Sequence, residues 1–345
     1  MEYFVGLDVS LEATAVCVVD GEGKTIRESM VGTDPDALAG FLTALNLPLK
    51  RIGLEAGSMT HWLYHSLNAA GLPVICIETR HAKAALKAQM VKTDRNDARG
   101  LAQIMRTGWY KAVHVKGAEC QKLRVLLGNR RFLVDGRVRI ENQIRGTLKT
   151  FGLKTGAVTR VAYERRIREL MEGHDELCRY VEPLLAVRRQ IMAEAARLEK
   201  AILDFVKNDE ACRLFMTVPG VGPLTALAFR SAIETPHRFR KSRHVGAHLG
   251  LTPRKYASGE VDYDGGITRC GDEMVRSHLF EAAKVLLSRV SKWSALKAWG
   301  MQIARRSGMK NACVAVARKL AVILHRMWLD GTEFRYGSMP VAAAA

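Results

Sequence analysis

Tyr3-Phe4-Val5-Gly6-Leu7-Asp8-Val9-Ser10 is an apolar run with polar ends, and it reads as a strand that carries an aspartate near its end. A second β-rich run follows at Ala13–Val19 and a third near Thr25–Val31, with Gly21-Glu22-Gly23 supplying a turn between them. Together they predict a meander of three strands. Asp34-Pro35-Asp36 then marks a helix start, with Pro in the first turn and Leu38, Phe41, Leu42 and Leu45 following as its apolar positions. Arg51–Ala56 reads as a short buried strand, Thr60–Ala70 as a helix and Pro73–Glu78 as a further strand. This alternation predicts a mixed sheet flanked by helices, although strand order cannot be read directly.

Outward from that region, Thr79–Met90 and Asp94–Thr107 are expected as helices, separated by the polar break Lys92-Thr93 and ended by Gly108. From Glu119 to Asn208 the chain is rich in Arg, Glu, Leu and Ala and poor in β signals, which predicts long helices interrupted around Gly152–Gly156. Val218-Pro219-Gly220-Val221-Gly222-Pro223 is a tight turn ahead of an apolar helix, Leu224–Ile233. Backbone N–H groups at Gly220 and Gly222 could meet a DNA phosphate there, and a plain interhelix turn is the equal alternative. Further helices are expected at Ser242–Leu249, Cys270–Ser291 and Ser294–Trp328. The expected division is an α/β domain over 1–112, a helical or coiled-coil connector over 113–208, a mainly α domain over 209–332 and a tail over 333–345, disordered at Val341–Ala345.

The formal charge of +18 favours a polyanionic partner, because basic side chains displace counterions from phosphates. Arg130 and Arg131, on an expected helix face, are candidates for such contacts, as are Arg254 and Lys255 further on. The start at Met1–Gly6 lacks a basic n-region, and no run approaches the ~18 apolar residues of a membrane span, so neither export nor a membrane is expected. The seven cysteines are scattered without a C-x-x-C pair, which fits reduced thiols of a cytoplasmic, nucleoid-associated protein. His244 and His248 are four apart but have no acidic or cysteine partner nearby, so phosphate or core contacts are favoured over metal binding.

Four acids stand where an RNase H-like nuclease would place them. Asp8 closes the first strand, Glu55 closes the fourth, and Asp94 and Asp97 lie three apart in the first turn of one helix. Hard oxygen ligands suit Mg²⁺, and two such ions can clamp the attacking and leaving oxygens of a phosphodiester displacement. Each acid also has a bland reading, as a turn cap or a helix N-terminal charge. Sugar-kinase and actin-like ATPases share the Gly-x-Asp-x-Ser opening. They would also need a second phosphate loop and an adenosine pocket, and the sequence offers neither.

With these residues in view, the chain resembles the DEDD transposases of bacterial insertion sequences, the IS110 family. The matching segments are Lys92-Thr93-Asp94-Arg95-Asn96-Asp97-Ala98-Arg99, Val218–Pro223, Gly250-Leu251-Thr252-Pro253, Ser258-Gly259 and Gly265-Gly266-Ile267 leading to Cys270-Gly271-Asp272. The resemblance implies a RuvC-like N-terminal domain whose Asp8, Glu55, Asp94 and Asp97 bind metal. It also implies that Ser258 is a nucleophile joining covalently to a DNA end, a role that its own loop context would not suggest. It further implies DNA as substrate, guidance by a structured RNA from the same element, and a homo-oligomer, dimer or tetramer. Cys270 departs from the family, where many members have Lys before Gly-Asp. The alternatives are a hydrolytic Holliday-junction-resolving nuclease and an inert nucleic-acid-binding protein.

Overall fold

The computed structural model describes residues 1–87 and 93–337; Met90, Lys92 and the tail Val341–Ala345 of the expectations above lie outside them. The chain divides into two compact units, Met1–Gly117 and Ala118–Ala345.

The first unit is built on a five-stranded sheet of order β3-β2-β1-β4-β5. Its strands are β1 (Tyr3–Val9), β2 (Ala13–Val19), β3 (Thr25–Gly32), β4 (Leu49–Glu55) and β5 (Val74–Ile77). The first three form the expected antiparallel meander, and β4 and β5 add on parallel. Both sheet faces are covered. On one, α1 (Pro35–Ala44) and α2 (Thr60–Ala69) bury Leu38, Leu42, Leu63 and Leu67 against Val5, Leu7, Ile52 and Leu54. Asp34 caps α1 by accepting from the N–H groups of Asp36 and Ala37, and Pro35 occupies the first turn, where its missing donor costs nothing. On the other face, α4 (Asp94–Thr107), preceded by the short α3 (Thr79–Leu86), buries Ala98, Leu101, Ala102 and Met105 against Phe4, Ala15 and Cys17. This mixed α/β sheet followed by a mostly helical remainder fits an RNase H-like fold.

The second unit opens with two long antiparallel helices, α5 (Ala118–Thr150) and α7 (Asp175–Asn208), joined through α6 (Tyr163–Leu170). Their outer ends share a small core of Ile144, Leu148, Tyr163, Ile167, Leu177, Val181 and Leu185. Beside it Arg188 donates to Glu141 at 2.9 Å and to the Arg160 carbonyl at 2.8 Å, a buried ion pair that also lies over the Tyr163 ring. Their inner ends enter a second core through Leu123, Leu127, Ile202 and Val206. Between the two cores, residues 128–140 of α5 and 189–201 of α7 contain no buried position.

The inner core gathers α8 (Glu210–Met216), α9 (Pro223–Ile233), α10 (Arg243–His248), α11 (Glu273–Ser288), α12 (Ala295–Ser307) and α13 (Met309–Asp330). Two expectations are corrected here. The single helix expected over Ser294–Trp328 is two, broken at Gly308 with φ +84°, a conformation only glycine adopts without strain. The mainly α region also contains an antiparallel hairpin, β6 (Pro253–Ser258) with β7 (Val261–Ile267), and the long helix expected from Cys270 starts only at Glu273.

Candidate active site

Two glycines position the acids of the first unit. Gly6 on β1 pairs with Gly53 on β4, and Leu7 pairs with Leu54, so Asp8 and Glu55 leave neighbouring parallel strands side by side at their carboxyl ends. Side chains two apart share a face, so each acid lies on the same face as the glycine before it. That face is the one under α4. A Cβ on Gly6 would fall 2.1 Å from the Ala98 carbonyl oxygen and 2.4 Å from the Ala102 nitrogen, and one on Gly53 would meet Met105 at 2.6 Å. The missing side chains let α4 lie directly on the sheet.

Asp8 and Glu55, both half-buried, line one cavity of about 250 Å³ with Ser10, Ser58 and Thr60. The surrounding loops are pinned. Thr60 Oγ1 accepts from the Gly57 N–H at 2.6 Å and donates to the Glu55 carbonyl at 2.8 Å, while Thr33 donates to the Ser10 carbonyl at 2.9 Å.

Asp94 and Asp97 stand in the first turn of α4, capped by Thr93, whose hydroxyl accepts from the Asn96 N–H at 3.2 Å. Asp94 is exposed and Asp97 half-buried. Among the described residues no group of three or more His, Cys, Asp or Glu converges on a possible metal. The structure therefore brings Asp8 and Glu55 together and does not bring Asp94 and Asp97 into a closed cluster with them. A pair of carboxylates in an open cavity still fits Mg²⁺ in kind, since that ion keeps several waters and takes one or two carboxylates plus substrate phosphates.

In the second unit Ser258 ends β6, opposite Val261, at the two-residue turn Gly259-Glu260, where Gly259 takes φ +56°. Every residue of β6 is exposed. The base of the hairpin is closely packed. Gly250, at φ +68°, packs so closely on Cys270 that a Cβ would lie 2.0 Å from its carbonyl oxygen, and Gly271 does the same against His248. Arg276 donates to the carbonyls of Leu249 and Cys270 at 3.1 and 2.9 Å, and Asp272 caps α11 while ion-paired with Arg124. Arg124, Arg269 and Arg276 escaped sequence reasoning, because their roles depend on long-range packing.

The other nucleic-acid candidates divide. Gly220, at φ +90°, lies against the backbone of α11, 2.5 Å from the Ala282 oxygen if given a Cβ, so packing explains this glycine. Gly222, at the start of α9, has open space around it. Arg130 pairs with Glu199 at 3.4 Å, Arg131 with Glu273 at 3.4 Å, and Lys255 with Asp262. Arg254 lines a surface recess. His248 meets Arg238 at 3.0 Å, and His244 is exposed. None of the seven cysteines is in a disulfide, and burial pushes the Cys17 and Cys76 thiols up to about 11, which keeps both protonated.

A mixed sheet with paired acids at its carboxyl edge fits the RNase H-like class, and comparison with known proteins narrows it. A transposase model matches residues 5–152, and the model of the transposase IS116/IS110/IS902 family matches 212–298. The transposase of insertion sequence element IS1111A from Coxiella burnetii is 30% identical over 344 residues, covering 97% of this chain and 92% of that one. The IS1328 transposase of Yersinia enterocolitica is 27% identical over 289 residues, covering 82% and 85%. A Thermus thermophilus RuvC structure is similar over 32% of this chain and 99% of RuvC, at 16% identity and a TM-score of 0.26. The chain belongs to the IS110 family of DEDD transposases. It is thus an enzyme that cleaves and rejoins DNA, and DNA is its partner. Among the described residues no helix is long and apolar enough to cross a membrane.

Proposed function

We propose that this transposase cuts DNA with Mg²⁺ held at Asp8 and Glu55, aided by Asp94 and Asp97, and that Ser258 is the nucleophile. The register that sets Asp8 beside Glu55, on the face covered by the helix bearing Asp94 and Asp97, carries the reading. A bound divalent cation supplies positive charge to the phosphate and its leaving oxygen. Asp8 and Glu55 would hold that charge at the strand ends, with Asp94 and Asp97 in the first turn of α4 as the further carboxylates. Ser258 Oγ forms a bond to phosphorus as the bond from phosphorus to one deoxyribose oxygen breaks. The serine proton is lost and the departing oxygen gains one. The count of phosphate ester bonds is unchanged, so attack by a new sugar hydroxyl reverses the step and rejoins the strand without outside energy. The N-terminal unit is, on this reading, a RuvC-like nuclease domain. The family resemblance supports guidance by an RNA of the same element and action as a dimer or tetramer, and the +18 charge suits both nucleic acids.

The test is a labelled DNA substrate on a denaturing gel, with and without protease. Asp8→Asn and Glu55→Gln should each lower cleavage at least about 100-fold while DNA is still retained, as expected when a charge-holding group is lost. Ser258→Ala should abolish the protease-sensitive adduct and strand exchange together. A Ser258→Ala protein that still cuts, releasing free ends, would make the enzyme a hydrolytic nuclease instead.

A further inference from the structure

The hairpin that carries Ser258 has two sorted faces. Alternation along β6 puts Arg254, Tyr256 and Ser258 on one face. The pairings Tyr256↔Tyr263 and Ser258↔Val261 add Tyr263 and Val261 to it. Lys255, Asp262 and Asp264 take the opposite face, where Lys255 is ion-paired with Asp262. Both acids of the two strands are therefore turned away from Ser258, and Arg254 is the charged side chain that shares its face.

The two tyrosine rings on that face are stacked, with centroids 4.9 Å apart and planes at 19°, yet they remain 43% and 55% exposed. They pack on no core. Gly265-Gly266 forms a bulge opposite Arg254, and a Cβ on Gly265 would come within 2.9 Å of the Tyr256 ring, so glycine is what lets that ring settle there. Beside it a recess of about 270 Å³ is lined by Arg254, Tyr256, Gly266, Ile267 and Arg269. Arg269 is itself held at φ +55°, a conformation rare outside glycine, by the packed turn that precedes Gly271. An exposed aromatic stack flanked by guanidinium groups has the make-up of a surface that binds unpaired nucleotides by stacking and backbone charge. Ser258 lies two residues from Tyr256 on the same face, or ~6.7 Å along the strand.

We infer that this face is a platform for single-stranded DNA, on which an unpaired base next to the cleaved phosphate stacks against the Tyr256–Tyr263 pair while Arg254 and Arg269 take the neighbouring phosphates. The position of that base next to the cleaved phosphate rests on Ser258 being the nucleophile; the stacking itself does not. Stacking tolerates any base, so the platform would hold a DNA end without selecting its sequence.

The full-length protein is titrated into a single-stranded DNA oligonucleotide containing 2-aminopurine, whose fluorescence is quenched on stacking. The wild type should quench it. Replacing both tyrosines, Tyr256→Ser with Tyr263→Ser, should remove the quench and weaken single-strand binding about tenfold or more, with duplex affinity unchanged. Tyr256→Phe with Tyr263→Phe should restore both. Ser258→Ala should keep the quench whatever becomes of the adduct, so failure of the nucleophile assignment and failure of the platform are told apart. A double Ser variant that quenches and binds as the wild type does would overturn the inference, as would quenching of an RNA oligonucleotide of the same sequence but not the DNA.

Discussion

Gly6 and Gly53 govern whether the acids of the first unit can be where they are. Gly6→Ala drives a methyl into the backbone of α4, 2.1 Å from the Ala98 oxygen. Backbone cannot rotate away as a side chain does, so the expected cost is about 2 kcal/mol or more, read as a fall in the denaturant midpoint. DNA cleavage should fall further than stability, since the same displacement moves α4's first turn away from Asp8. A Gly6→Ala protein as stable and active as the wild type would mean that α4 does not pack on β1 this way. Asp8 and Glu55 were legible in the sequence because each closes an apolar run. That they are register neighbours was not legible, because pairing of β1 with β4 passes over two strands and a helix. That no group of three or more such side chains converges at Asp94 and Asp97 among the described residues was equally hidden, since helical spacing says which residues share a face but not what that face meets.

Among the elements, the meander and the start of α1 were readable from local chemistry: the turn at Gly21–Gly23 and the cap at Asp34-Pro35. The β6–β7 hairpin was not. A strand normally announces itself by one apolar face, and here every residue of β6 is exposed. Tyr256 and Tyr263 flanking Ser258-Gly259-Glu260 were the available signal, two β-favouring aromatics astride a glycine turn. The break at Gly308 was hidden by apolar positions that continue in both flanking helices. At the outer end of α5 and α7, Glu141→Ala would leave the Arg188 guanidinium buried without its carboxylate. The expected loss is about 3 kcal/mol, as for a broken buried ion pair, measured by thermal or denaturant unfolding. Glu141→Gln, which keeps an acceptor for Arg188, should cost less. Equal losses would mean that the charge contributes little there.

For the whole molecule the dominant quantity is the +18 charge. Each phosphate neutralised releases counterions, so affinity for DNA should drop at least about 100-fold between roughly 50 and 200 mM salt, a linear fall on logarithmic axes. Fluorescence anisotropy of a labelled duplex measures it, and a flat line would remove the basic surface from the account. The second unit also has a mechanical side. Helices α5 and α7 run 33 and 34 residues, on the order of 50 Å each, with a packed core at either end and none along residues 128–140 and 189–201. Such a pair is a cantilever with a compliant shank. Packing should restrain bending less in that stretch than at either end, because no side chain there is buried. A tilt at that stretch would move the Tyr163 end, with its own core, as one piece relative to the inner core.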